Sequence, residues 1–200
     1  MPVLGLTGGI ATGKSSLTES LRRRMGATVF DADLCAHELL ATDPKIALSV
    51  QKTFGDGICD AFGVPDRAKL RGIVFNQIEK RRELESILHP VIRRQWLSLA
   101  SQYAGRESWL IVDLPLLFEV QAESNFDRTV VVSCAQLVQL RRLTEIRKLE
   151  KVLALKIIES QLDLTEKINR THHVIWNDST FCCLERQSQL LANWLAQYAI

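Results

Sequence analysis

Gly5-Leu6-Thr7-Gly8-Gly9-Ile10-Ala11-Thr12-Gly13-Lys14-Ser15-Ser16 is the stretch on which the fold turns. It follows the apolar run Val3 to Leu6 and precedes a helical pattern in which Leu17, Leu21 and Met25 recur every four residues. Gly8, Gly13, Lys14 and Ser15 fit G-x-x-x-x-G-K-[ST], a phosphate-binding loop. Small residues let successive backbone N–H groups turn inward and form a concave anion site. A helix starting at Lys14 adds the partial positive charge of its N-terminus. The Lys14 ammonium can reach the β- and γ-phosphates, and the Ser15 hydroxyl can join the coordination shell of Mg2+. A chance glycine turn rarely fixes all of these positions between a strand and a helix, so a nucleoside triphosphate is the expected ligand.

Working outward, 200 residues suit one compact domain with a lid or an inserted subdomain. Apolar residues make up 46% and the charges are mixed in sign, which excludes wholesale disorder. A net charge of +2 is too small to argue for nucleic acid, and none is expected as a partner. No apolar run approaches the ~20 residues of a membrane span. The first residues read as a core strand rather than a signal peptide, so a cytoplasmic protein without a membrane partner is expected. Cys35, Cys59, Cys134, Cys182 and Cys183 form no C-x-x-C pair and are expected as reduced thiols. Adjacent Cys182 and Cys183 leave a redox element as the alternative.

Gly26 stands where a helix C-cap glycine belongs. Ala27 to Phe30 is a short strand that ends in Asp31-Ala32-Asp33. Carboxylates at the C-terminal end of a strand fall at the ligand edge of an open α/β sheet. On extended backbone Asp31 and Asp33 would point the same way; alternatively, Asp33 caps the helix that starts around Leu34. Residues 34–105 are mostly helical in pattern, with a helix start at Asp43-Pro44 and a loop from Phe54 to Pro65. Leu84, Ile87, Leu88, Val91, Ile92 and Leu99 form an apolar stripe that Pro90 should kink or restart. So long a run between strands exceeds a plain crossover and reads as an inserted helical subdomain.

Trp109 to Val112 resumes the strand pattern and Asp113 ends it, in the position of a Walker B carboxylate that helps hold Mg2+. Thr129 to Ser133 is a β-branched strand, and a cation-rich helical stretch follows from Ala135. Glu145, Glu150 and Glu159 are interleaved there, as on a solvated face. After the fourth strand of such a fold, however, a lid could bring Arg142 and Arg147 onto the transferring phosphate. His173 to Trp176 is the last strand. Phe181, Leu184, Leu191, Trp194, Leu195 and Tyr198 then mark a closing helix with its stripe on the sheet. Strands alternating with helices imply an α/β, three-layer P-loop NTPase fold with a five-stranded parallel sheet, an inserted helical substrate domain and a helical lid. The nucleotide core is expected over 1–33, 106–140 and 170–200, the acceptor domain over 34–105 and the lid over 141–169.

Leu6-Thr-Gly-Gly-Ile-x-x-Gly-Lys-Ser15, Asp31-Ala-Asp33, Leu88-His89-Pro90, Asp113-Leu-Pro-Leu-Leu-Phe-Glu119 and Gln139-x-x-Arg142 together resemble the dephospho-coenzyme A kinase family, in order over nearly the whole chain. The resemblance implies transfer of the ATP γ-phosphoryl to the ribose 3′-hydroxyl of dephospho-coenzyme A, with Mg2+ accompanying the donor. It implies Asp33 as the base, with Asp31 beside it, His89 in the acceptor domain, and Pro115, Leu116 and Leu117 lining the acceptor site with Glu119 nearby. It further implies that Gly8 to Ser16 hold ATP together with Arg142, Arg147 and Asn177, and that Ser15 and Asp113 serve the metal. The lid departs from the family pattern. A second arginine usually stands four residues after the first; here that position is Ile146, and Arg147 comes one residue later. An Ala-Asp pair usual before the last strand reads Thr171-His172, whereas the spacing from Gln139 to Gln161 is kept and Lys167 falls where a lysine is common.

The competing readings are another P-loop small-molecule or nucleotide kinase, a GTP-dependent switch, and a nucleotide-binding homologue with an impaired lid. A monophosphate acceptor is already an anion and needs no base, which argues for a hydroxyl acceptor beside Asp-Ala-Asp. Guanine specificity commonly rests on N-K-x-D, which is absent. A monomer is the favoured state, acting on ATP and dephospho-coenzyme A alone.

Overall fold

The computed structural model describes residues 2–102 and 108–198. By its internal contacts the chain divides into two compact units, Met1–Phe30 with Tyr103–Ile200, and Asp31–Gln102. The domain boundary expected at 105/106 falls outside the described residues.

The first unit is built on a five-stranded parallel sheet in the order β2-β3-β1-β4-β5. Its strands are β1 (Val3–Gly8), β2 (Thr28–Asp31), β3 (Leu110–Asp113), β4 (Arg128–Ser133) and β5 (His173–Trp176). The central strand β1 is buried along its whole length, as strands covered on both faces are. It pairs in parallel with β3, Leu6 opposite Asp113, and with β4, Gly8 opposite Val132. Alternate residues of these strands, Leu4, Leu6, Ile111, Val130, Val132 and Ile175, share one core cluster with helix side chains. Those helices are α1 (Lys14–Met25), through Leu17 and Leu21, and the closing helix of the chain, through Leu184, Leu191 and Leu195. Leu17 and Leu21 of the first stripe and Leu184, Leu191 and Leu195 of the second are core, whereas Phe181 and Tyr198, expected in the second, are 61% and 42% exposed. Phe181 sits in the first turn of its helix, and Tyr198 lies just past its last residue, Ala196. Trp194 instead stacks on His173 at 5.1 Å.

The second unit is helical: α2 (Ala32–Thr42), α3 (Pro44–Phe54), α4 (Arg67–Asn76) and α5 (Ile78–Gln102). Asp43 caps α3 by accepting from Lys45 N and Ile46 N at 2.8 and 3.2 Å, with Pro44 in the first turn. Of the two outcomes expected at Pro90, a kink or a restart, the restart does not occur. α5 continues through it, held by the buried Leu88, Ile92 and Trp96 on one stripe. Packing of that stripe offsets the donor that proline removes.

Three further helices of the first unit follow β4: α6 (Gln136–Arg141), α7 (Lys151–Glu159) and α8 (Leu164–Arg170), and the closing helix is α9 (Phe181–Ala196). Between α6 and α7, residues Arg142–Ile146 form a π-turn. Among the described residues no helix is long and apolar enough to cross a membrane. All five cysteines are free thiols.

Candidate active site

The sheet order changes direction at β1, between β3 and β4, and ligands of open α/β sheets bind at the C-terminal strand ends beside such a switch. The loop from Gly9 to Gly13 leaves β1 there and runs into α1. No side chain caps the first turn of α1, and a helix N-terminus left in that state favours an anion. Gly13 has φ +96°, and a Cβ on it would lie 2.3 Å from Asn177 Nδ2, so this position requires glycine on both grounds. Within the loop, buried Thr12 closes the turn by donating from Oγ1 to Gly9 O at 2.8 Å.

Lys14 and Asp113 meet directly. The ammonium pairs with Asp113 Oδ1, and the carboxylate is 6% exposed at its side chain. Thr18, one turn after Lys14, lies 3.0 Å from Asp113 Oδ2 and 3.1 Å from Lys14 O. Thr18 was not singled out from the sequence; its i, i+4 spacing from Lys14 was the available signal. Ser15 and Ser16 are exposed at the start of α1. The Ser15 hydroxyl and the Asp113 carboxylate are hard oxygen donors of the kind Mg2+ takes, and no cluster of three or more acidic, histidine or cysteine ligands occurs among the described residues. That sparse set fits Mg2+, which keeps several waters and shares phosphate oxygens.

Side chains from the β4–β5 connection, and Asn177 just after β5, brace the loop. Gln139 Nε2 donates to Ile10 O at 2.8 Å, and Ile10 N donates to Gln161 Oε1 at 2.8 Å. Arg142 donates to Ala11 O, Thr12 O and Asn177 O at 3.1, 3.2 and 2.8 Å, while Asn177 Nδ2 donates to Thr12 O at 2.8 Å. Arg142 and Asn177 thus reach the expected loop, by way of its carbonyls. Arg147 is exposed. Its N–H donates to Arg142 O at 3.2 Å, a five-residue step that makes the π-turn.

After Asp113 the chain turns back under β1. Thr7 Oγ1 donates to Pro115 O at 2.9 Å and Leu114 N to Leu6 O at 2.9 Å. Pro115 and Leu116 are half-buried, whereas Leu117 has 0% exposure and its Cδ1 would lie 2.7 Å from a Cβ on Gly5. Leu117 therefore anchors the turn rather than presenting its side chain. Glu119 Oε1 pairs with Lys167 Nζ at 2.8 Å.

In the helical unit Asp31, not Asp33, is the N-cap of α2, accepting from Leu34 N at 2.9 Å. The two aspartates do not lie together on extended backbone, because the helix starts at Ala32. Asp33 is exposed in the first turn of α2, where the helix dipole favours a carboxylate. His89 is half-buried in α5, and that burial pushes its pKa below the usual histidine value. Burial likewise raises the Cys134 thiol to about 11, which leaves it inert.

The sequence profile described as dephospho-CoA kinase matches residues 2–182. A dephospho-CoA kinase of Bacillus cereus is 36% identical over 197 residues, covering 96% of each chain. Among solved structures, TT1252 from Thermus thermophilus superposes with a TM-score of 0.78 at 27% identity, covering 97% of both chains. The dephospho-CoA kinase from Campylobacter jejuni gives 0.65 at 25% identity, over 98% of this chain and 97% of that one. A match that starts in β1, passes through the phosphate loop, Asp113 and the braces on that loop, and ends in α9 leaves one assignment: the chain belongs to the dephospho-CoA kinase family.

Proposed function

We propose that the protein transfers the γ-phosphoryl group of ATP to the ribose 3′-hydroxyl of dephospho-CoA, releasing CoA and ADP. The observation that carries this reading is the family match over residues 2–182, which includes a phosphate loop whose Lys14 is already in contact with Asp113. The 3′-oxygen attacks the γ-phosphorus as the bond to the β-phosphate oxygen breaks, and the hydroxyl proton passes to Asp33. Phosphoryl transfer asks little covalent chemistry of a protein, so positioning and charge supply most of the rate. The amides of the first turn of α1 hold the phosphates, and Lys14 exchanges part of its contact with Asp113 for phosphate oxygens. Ser15 and Asp113 would hold Mg2+, which would supply positive charge against the phosphates of the donor. Arg142 and Asn177 keep the loop carbonyls turned away from the anion, so that its amides face it.

Arg147 is the second cation of the lid, residues 141–169. A π-turn brings the residue five positions on above the first, where an α-helix brings the fourth, and this absorbs the one-residue displacement noted in the sequence. Residues 31–102 form the acceptor unit, with Asp31, Asp33 and His89 in it. The five free thiols support a cytoplasmic site of action, and the working unit is taken as the monomer.

ADP release should be compared with dephospho-CoA, thymidylate and AMP as acceptors at equal concentration. The expected result is a rate with dephospho-CoA at least ~10²-fold above either monophosphate. A monophosphate matching or exceeding it would overturn the acceptor assignment.

A further inference from the structure

Lys167, in α8, has 0% side-chain exposure. Burying its charge costs several kcal/mol, which pairing only partly repays. Its ammonium lies 2.8 Å from Glu119 Oε1 and 3.3 Å from Pro115 O, and Pro115 O also accepts from Thr7 at the end of β1. Glu119 Oε1 accepts in addition from Leu162 N at 3.1 Å. The preceding residue, Gln161, holds Ile10 N of the phosphate loop at 2.8 Å. Hydrogen bonds therefore run in a closed circuit from the phosphate loop through residues 161–167 to Glu119 and Pro115, and back to β1. Stability alone is a poor reason for this pair. Glu119 Oε2 is buried with no partner, and apolar side chains would fill the same space without that cost.

We infer that Lys167 is a positioning residue for phosphoryl transfer: with Glu119 and Gln161 it fastens the phosphate loop to the segment after Asp113. In-line transfer requires donor and acceptor to be held to within about 1 Å, and a misplacement of that size costs ~10²-fold in rate. A single latch across two loops supplies that constraint. Lys167 touches neither substrate in this role; it acts through Pro115, Glu119 and the Gln161–Ile10 contact.

The inference rests on the phosphoryl-transfer reading above, and the test separates the two. The paired variant Lys167→Met with Glu119→Leu replaces both charges by apolar groups of similar size. It should melt at or above the parent temperature and bind ATP within about threefold of it, while kcat falls ~10-fold or more. A folded paired variant with kcat within about twofold of the parent would overturn the inference and leave the function standing. Should the paired variant not fold, Gln161→Leu, Glu119→Gln and their combination decide the matter by kcat. Each single change should lower kcat ~10-fold and the combination little further, because either one releases the same segment. Independent, multiplying losses, or no loss at all, would contradict it. A parent protein that makes no CoA from MgATP and dephospho-CoA would overturn both readings.

Discussion

Asp33 illustrates how much one residue's surroundings decide. It is an exposed carboxylate in the first turn of α2, next to Asp31, which is already committed as the cap. Loss of its favourable dipole interaction costs ~0.3–1 kcal/mol. Asp33→Asn should keep its affinity for ATP while kcat falls ~10²-fold. Unchanged turnover in steady-state kinetics would remove Asp33 as the proton acceptor. His89 makes the opposite case, because its burial acts on stability. Its folded-state pKa lies below the ordinary value of 6.5. Below that pH the unfolded chain takes up a proton that the folded chain resists, so stability present at pH 7.5 is lost as pH falls through and below 6.5. Melting temperatures between pH 7.5 and 5.5 should fall less steeply for His89→Gln than for the parent; equal slopes would contradict the burial argument. His173, displaced in the same direction by burial, leaves part of the slope in that variant.

At the level of elements, the π-turn between α6 and α7 is the feature with the clearest consequence. Arg147 N donates to Arg142 O, and Lys148 follows with φ +57°, so the helix stops just after Arg147 and the chain changes direction there. Exchanging the two neighbours, Ile146→Arg with Arg147→Ile, keeps composition and moves the cation by one position. The exchange should reduce kcat ~10-fold, as Arg147→Ala would, because the π-turn holds position 147 above Arg142. Kinetics equal to the parent would show that the turn does not set the position of the cation. This element also marks where the sequence stopped being legible. The strands, the phosphate loop and the Asp43 and Gly26 caps follow from local chemistry and could be read in advance. A π-turn has no residue pattern of its own, and the displaced arginine alone showed only that something had shifted. Pro90 failed as a break for the related reason that tertiary packing of Leu88, Ile92 and Trp96 outweighs a local signal.

For the molecule as a whole, Gly8 to Ser16 and Asp113 were legible because strand order brings residues distant in sequence to one sheet edge by rule. The contacts of Gln161 with Ile10 and of Lys167 with Glu119 were not legible. They join residues 151 and 48 positions apart, with polar side chains that resemble surface residues until their burial is known. Leu117 misled in the opposite direction, since a core leucine and a lining leucine are the same letter. What the parts have in common is a single act, moving one phosphoryl group from ATP to a ribose hydroxyl. Incubating the protein with MgATP and dephospho-CoA, and following the phosphorus by NMR and the product by mass, measures that act directly. One equivalent of CoA per ADP, with the new phosphate on the 3′-oxygen, is the expected result. ATP consumed without CoA, or no ATP consumed at all, would contradict it.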